Sequence, residues 1–219
     1  VDNKKVAKNT LFLYFRMILM MLINLYASRV ILKLLGVEDY GIYNVVGGVV
    51  TLFTFVSNAM MAATQRYLNV YIEKGNPEET KKIFSACVVI HMVVALIVIF
   101  LSEIAGLWFM YKKMVIPEAR MDAAFWTFQC SVISTAIVVF SSPYKAMIVA
   151  YEKMSAFAYV SIIEAVLKLA ILYVVAIFSV DRLIFYSILF MAVTSLIALS
   201  YAAYSKINFP DSSIVVRGI

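Results

Sequence analysis

Residues 83–101 read IFSACVVIHMVVALIVIFL and contain no aspartate, glutamate, lysine or arginine. A helix needs ~20 mostly apolar residues to cross the hydrocarbon core of a bilayer. The stretch therefore predicts a transmembrane helix. It does not show the alternation of apolar and polar residues that is typical of the strands of a membrane β-barrel.

Similar apolar runs recur along the chain. Six can be counted, at residues 10–35, 41–72, 81–110, 120–150, 156–180 and 183–205. They predict an all-α integral membrane protein in which residues 1–205 form a bundle of about six transmembrane helices. We expect residues 206–219 to be a polar cytoplasmic tail or the start of a linker between two lobes.

The composition excludes several other classes of protein. Hydrophobic residues make up 64% of the chain and charged residues 15%, against ~45–50% and ~25% in soluble domains. Cys87 and Cys130 have no second cysteine or histidine at ligand spacing, so no disulfide or metal site is predicted. The net charge of +6 comes without a basic patch interleaved with aromatics, and we expect no nucleic-acid partner. The sequence has no nucleotide-binding loop or catalytic triad, so it predicts neither a cofactor nor an enzyme.

Glycine, proline and short polar side chains mark the breaks between the runs. Gly36 is typical of the residue that follows a helix, and Asp39 of the cap that begins the next one. Asn76 and Pro77 predict a helix start with proline in the first turn. Asp181 leaves only a short turn before the last run, so the last two helices should be antiparallel neighbours.

The distribution of lysine and arginine predicts the orientation in the membrane. With the N-terminus inside, cytoplasmic segments hold nine of these residues and external segments five. Cytoplasmic loops carry the excess of positive charge in membrane proteins. We therefore expect a cytoplasmic N-terminus.

Two arginines within the predicted spans are candidate ligands for phosphate. Arg16 lies early in the first span and Arg66 late in the second, so both should lie at similar depth on the cytoplasmic side. Guanidinium groups bind phosphate through two parallel hydrogen bonds. The alternative is that both arginines reach the phosphates of inner-leaflet lipids. Arg29 lies near enough to the outer surface to extend its charge into water.

Polar and small residues also form a face along the second span. Their spacing of three and four residues places them on one side of a helix. This face either packs closely against neighbouring helices or lines a hydrated groove for a polar substrate such as a sugar. Its members are Asn44, Gly47, Thr51, Thr54, Asn58, Ala62, Gln65 and Asn69. On the first span, Asn24 is a further candidate for the polar cavity.

Glu164 and Lys168 lie four residues apart on the fifth span. This spacing predicts a local ion pair on one helix face. Ionisable groups within a membrane are also candidates for ion coupling, and both interpretations remain open for this pair.

Several short stretches resemble the start of bacterial polysaccharide-biosynthesis flippases. These are the Wzx-type oligosaccharide-lipid transporters of the multidrug/oligosaccharidyl-lipid/polysaccharide exporter superfamily. The resemblance covers roughly residues 2–205 and is most specific at LGVEDYGIYN (35–44) and ATQR (63–66). Further stretches are DNK (2–4), KNT (8–10), SRVIL (28–32), IPEAR (116–120) and EKM (152–154).

The resemblance implies transport of undecaprenyl-pyrophosphate-linked oligosaccharides from the inner to the outer leaflet of the bacterial cytoplasmic membrane. Arg16, Arg66 and Arg29 would contact the lipid pyrophosphate, and the polar face would lie beside the glycan. Such transporters have two lobes with a cavity between them, and this chain resembles the N-terminal lobe. Its expected partners are the lipid-linked oligosaccharide, membrane lipids, a C-terminal lobe or second copy of the chain, and a polysaccharide polymerase.

Two other functions remain open. A cation-coupled multidrug exporter of the same superfamily would favour an acid-lined cavity, whereas the candidate site is rich in cations. Glu164 nevertheless leaves ion coupling possible. The other alternative is a truncated membrane protein that does not transport.

Overall fold

A computed structural model describes residues 3–178 and 180–212 and shows an all-α bundle. The described residues are 92% helical, and no strand occurs among them. Five helices are long and apolar enough to cross a membrane. The predicted fold class is therefore confirmed, and the chain is a multi-pass membrane protein.

The helices follow one another with short connections. They are α1 (Asn3–Glu73), α2 (Pro77–Leu101), α3 (Leu107–Lys112), α4 (Met121–Ala150), α5 (Met154–Ile177) and α6 (Arg182–Asn208). A π-helical turn at Ser102–Gly106 joins α2 to the short α3, and a 3₁₀ turn at Glu118–Arg120 precedes α4. Residues 206–208 thus belong to α6, and a 3₁₀ turn at Pro210–Ser212 follows. Residues 213–219 of the expected tail lie outside the described residues. The side chains of Lys4, Lys5 and Lys8, which are among the nine lysines and arginines expected in the cytoplasm, also lie outside them.

The first two predicted spans both lie within α1, which is interrupted at Gly36. This glycine has φ 80° and ψ 172°, a combination that is essentially restricted to glycine. We call residues 3–35 the first arm and residues 37–73 the second arm. Gly36 therefore divides α1 into two helical arms, and each arm contains one of the first two apolar runs.

Side-chain contacts give the direction of each arm. The first arm runs parallel to α5, since Arg16 contacts Ser161 and Tyr26 contacts Tyr173 further along both segments. The second arm runs parallel to α4. Along these two segments the successive contacts are Asp39 with Arg120, Gly47 with Ser131 and Ser57 with Ser142.

Helix α6 relates the two arms to each other. It runs parallel to α4, because Ser187 near its start bonds Thr127 near the start of α4. It runs antiparallel to α5, because Ser161 early in α5 lies 3.2 Å from Tyr201 late in α6. The two arms are therefore antiparallel, and the chain reverses its direction at Gly36.

Helix α4 lies at the centre of the bundle. Its Tyr144 packs edge-on against Phe84 of α2, with ring centroids 5.3 Å apart. Tyr144 and Met147 belong to a buried cluster that also includes residues of both arms, α5 and α6. The first arm lies at the edge, with Leu11, Met21 and Leu25 more than half exposed. In a membrane protein such an apolar surface faces lipid or another protein.

Polar contacts stabilise the two ends of the bundle, which we call the Asn76 end and the Gly36 end after the residues that lie there. At the Asn76 end, the Asn76 side chain accepts a hydrogen bond from the Glu79 backbone N–H at 3.3 Å, which confirms the predicted cap with proline in the first turn. At the Gly36 end, Asp181 caps α6 by accepting from the backbone N–H groups of Leu183 and Ile184. The expectation that Asp39 is a helix cap is wrong, because its carboxylate binds Arg120 instead.

At the Asn76 end, the chain after α6 folds back onto the turn between α4 and α5. Phe209 is buried and stacks on Tyr151, with ring centroids 4.3 Å apart. The Tyr151 hydroxyl donates a hydrogen bond to Asp211. Burial, and then this contact with Asp211, raise the pKa of Tyr151, so the hydroxyl keeps its proton at neutral pH.

Candidate functional site

A cavity of about 710 Å³, which we call the large cavity, lies among the second arm, α4, α5 and α6. This is within the ~300–1,000 Å³ range of small-molecule sites. Hydroxyl and amide side chains come from three of these helices, and α5 contributes an ion pair. The polar side chains include Asn44, Thr51, Thr54, Ser131, Ser134, Ser187 and Thr194.

Glu164 and Lys168 form the only ion pair among the described residues of this cavity. The Lys168 Nζ lies 2.7 Å from the Glu164 Oε1, and the side chains are 30% and 23% exposed. The local ion pair that the sequence predicted is thus present. The Lys168 ammonium also lies 4.6 Å from the ring centroid of Phe190, which lines the same cavity.

The polar face of the second arm divides between two cavities. Thr51 lines the large cavity, and its hydroxyl donates to the backbone carbonyl of Gly47 at 2.7 Å. Gln65 and Asn69 line a second cavity of about 570 Å³ at the Asn76 end. Asn58 is exposed and lines neither cavity. The face therefore contributes to two separate cavities rather than to one continuous groove.

Arg16 lies against α5 and α6, where the side chains that it contacts are uncharged. Its Nη1 donates to the Ser161 Oγ at 3.4 Å, and its Cζ lies 4.8 Å from the Phe157 ring centroid. The Arg16 Nε is buried and has no hydrogen-bond partner among the described residues. A cation in a membrane span normally finds an acid or a carbonyl. This arginine therefore keeps donor capacity for an anion.

The other predicted arginines lie apart from Arg16. Arg66 lies toward the Asn76 end, as Arg16 does, but its side chain is exposed and no contact joins the two residues in the described part of the chain. Arg29 is also exposed, toward the Gly36 end. Asn24 is exposed and lines an open groove of about 500 Å³ on the first arm together with Arg16. The structure thus brings Asn24 beside Arg16 but does not join the three arginines into one site.

Sequence reasoning missed the contributions of α4 and α6 to the cavity. Ser131 and Ser134 lie three residues apart on α4, and Ser187 and Thr194 lie seven apart on α6. A single serine or threonine in an apolar helix is most simply interpreted as a residue that packs against another helix. Their helical spacing was the available signal, but only the assembled bundle shows that both faces point at the second arm.

A second group of polar residues near Arg16 was also missed. The Ser161 Oγ lies 3.2 Å from the Tyr201 hydroxyl, and the Lys145 Nζ lies 5.1 Å from the Tyr201 ring centroid. Ser205, one turn after Tyr201, is buried with an unpartnered hydroxyl in the described structure. Lys145 is within electrostatic reach of Glu164, so this group adjoins the ion pair of the large cavity.

Taken together, the site can bind and position a polar ligand inside a membrane bundle. No group of three or more histidine, cysteine, aspartate or glutamate side chains suited to a metal ion occurs within residues 3–178 and 180–212. Comparisons with protein-family models, with curated proteins and with solved structures find no match to the chain.

Proposed function

We propose that the chain forms a six-pass lobe of a transporter for undecaprenyl-pyrophosphate-linked oligosaccharides in the bacterial cytoplasmic membrane. The lobe moves these lipids from the inner to the outer leaflet, and its N-terminus lies in the cytoplasm. The resemblance of residues 35–44 and 63–66 to polysaccharide flippases suggests this substrate. The observation that carries the proposal is the polar cavity of about 710 Å³ within the membrane helices.

The polarity of this cavity supports transport over a purely structural role. Burying polar groups without partners costs free energy, and ionisable groups in membrane spans usually face a wet cavity or the bundle interior. Here an ion pair and hydroxyl-bearing side chains from neighbouring helices surround one space. A helix bundle that served only as an anchor would be more stable with apolar contacts there.

Arg16 supports an anionic headgroup. Its guanidinium lies in a membrane span with an unpartnered Nε and a long hydrogen bond to Ser161. Phosphate oxygens complement such a group through paired hydrogen bonds. In the proposed mechanism, a second lobe or a second copy rocks against this one, and Arg66 and Arg29 are exposed where they can meet the headgroup from that side.

The proposal is tested by polymer export from the bacterium that encodes this chain. Arg16→Ala in the natural protein should abolish surface polysaccharide, and Arg66→Ala should reduce it. Arg182→Ala is the matched control, since Arg182 is exposed at the opposite end and its one hydrogen bond within the described part of the chain goes to the Leu34 backbone carbonyl. Normal export by Arg16→Ala at equal protein level would exclude the headgroup role.

One observation favours a second candidate function. The Glu164 carboxylate lines the large cavity, as a multidrug exporter for organic cations would require. In that case Glu164→Gln should abolish efflux of ethidium from cells while leaving surface polysaccharide unchanged. The flippase proposal expects no ethidium efflux in either form of the protein.

A further inference from the structure

Six of the seven serine and threonine hydroxyl groups that line the large cavity share one hydrogen-bonding arrangement. A serine or threonine hydroxyl has one hydrogen to donate and two lone pairs that accept. On the cavity wall this hydrogen is directed to a backbone carbonyl of the same helix, at distances of 2.6–2.9 Å. The residues are Thr51, Thr54, Ser131, Ser134 and Thr194, together with Ser187, whose hydroxyl oxygen also lies 3.0 Å from the Thr127 Oγ1.

Asn44 follows the same pattern with its amide. Its Nδ2 donates to the Tyr40 backbone carbonyl at 2.7 Å. An amide in this arrangement leaves its Oδ1 as an acceptor and its second N–H as a donor. The wall therefore presents oxygen lone pairs from the second arm, α4 and α6, and the hydrogens of the six hydroxyl groups are already used within the helices.

The cationic donor of the cavity is likewise engaged. The Lys168 ammonium is held by the Glu164 carboxylate at 2.7 Å and by the Phe190 ring at 4.6 Å. An anionic ligand that binds Lys168 would have to share this ammonium with Glu164, and the Glu164 carboxylate would repel its charge.

From these contacts we infer that the large cavity is an acceptor-lined site that selects ligands by the hydrogen bonds they donate. It takes hydroxyl- and ammonium-bearing ligands of monosaccharide size and rejects those bearing a carboxylate. A carboxylate brings only acceptors and would face oxygen lone pairs and Glu164. The inference rests on the proposed function only for the source of the ligand, which would be a sugar ring of the lipid-linked oligosaccharide.

The inference assigns specificity to residues outside the arginines. Each wall oxygen that accepts a hydrogen bond should favour binding by about 2- to 10-fold. Glu164 adds a charged acceptor that favours an ammonium over a neutral hydroxyl. The site should therefore prefer an amino sugar to its N-acetylated form, and both to a uronic acid.

The test measures binding of three sugars to the purified natural protein in lipid nanodiscs by isothermal titration calorimetry. Glucosamine should bind most tightly, N-acetylglucosamine less tightly, and glucuronate about tenfold or more weakly than either. Absence of binding by all three sugars, or glucuronate binding as well as N-acetylglucosamine, would overturn the inference. This order needs no variant, so it does not depend on whether a substituted protein folds.

Substitutions of cavity residues then test whether the ligand binds in the large cavity. Thr51→Val and Thr194→Val each remove one acceptor at nearly constant volume and should weaken N-acetylglucosamine binding by about 2- to 10-fold. Glu164→Gln should remove the preference for glucosamine. Ser200→Ala is the control, because Ser200 makes the same kind of bond, to the Leu196 carbonyl at 2.9 Å, but does not line the cavity. Unchanged binding in the folded Thr51 and Thr194 variants would contradict the assignment.

The outcome is separate from that of the proposed function. Selective sugar binding with normal surface polysaccharide in a deletion strain would retain the site and reject the flippase. Loss of polysaccharide in that strain without the predicted order of binding would retain the flippase and reject this site.

Discussion

Arg120 binds Asp39 through two parallel hydrogen bonds, from Nε to Oδ1 and from Nη2 to Oδ2, each 2.7 Å long. The same guanidinium also contacts the Asp181 carboxylate. One side chain at the start of α4 therefore ties the start of the second arm to the cap of α6. Because the two arms join beside this point, the contact fixes the Gly36 end of the bundle as one unit.

Arg120→Ala should lower stability by about 1–3 kcal/mol, because it leaves two partly buried carboxylates without their partner. The expected result is a lower melting temperature in detergent. Arg182→Ala is a suitable control, since its exposed side chain makes a single bond to a backbone carbonyl. Equal melting temperatures for the two variants would show that the paired contact with Asp39 is not stabilising.

The same cluster predicts loss of stability in acid. Hydrogen bonding from Arg120 lowers the pKa of Asp181 below its ordinary value of 3.8. A carboxyl group with a lowered pKa in the folded state stabilises that state above its ordinary pKa and loses this contribution as the pH falls through the folded value. The melting temperature should therefore drop as the pH falls below about 4. The drop should be smaller in Arg120→Ala, and an identical pH profile would contradict this origin.

Gly36→Ala should destabilise the reversal between the two arms. The backbone at Gly36 has φ 80° and ψ 172°, and a side chain there costs about 1–3 kcal/mol. Gly41→Ala is the matched control, because Gly41 lies in the helical part of the second arm and an added Cβ meets nothing within 4 Å. Its melting temperature should be unchanged or higher. If both variants melt alike, the special conformation of Gly36 has no energetic consequence.

Gly106→Ala tests the packing of the π-helical turn against α4. A Cβ on Gly106 would overlap the Cζ of Phe128, a buried ring. The overlap should cost about 1–3 kcal/mol, measured as a lower melting temperature. Adding Phe128→Leu should recover part of this loss in a double-mutant cycle. Strictly additive effects would mean that the two residues do not contact each other.

Several features of the fold follow from local chemistry and were predictable. The runs of apolar residues predict the long helices because a helix must be long and apolar to cross a bilayer. Asn76 and Pro77 predict the start of α2 because cap and first-turn preferences are local. Gly36 was expected to end the first helix, and its backbone conformation is indeed one that other residues avoid.

The candidate site was harder to predict because it depends on which helix faces meet. Asp39 has the residue type of a cap, but Arg120, 81 positions later, takes its carboxylate. The directions of the two predicted spans place Arg16 and Arg66 at the same depth. They do not predict how each helix is rotated about its own axis. The hydroxyl groups of α4 and α6 line the same cavity only because packing brings both helices against the second arm.

The central claim is tested most directly by the leaflet distribution of the lipid-linked oligosaccharide that we propose as the substrate, in spheroplasts of the cells that encode this chain. An added impermeant glycosidase reaches only the oligosaccharide in the outer leaflet. With the natural protein, the account predicts that a large share is cleaved. In a strain that lacks the protein and is blocked in polymerisation, it predicts that the intermediate accumulates uncleaved, and Arg16→Ala should not restore cleavage. Equal cleavage with and without the protein would contradict the account.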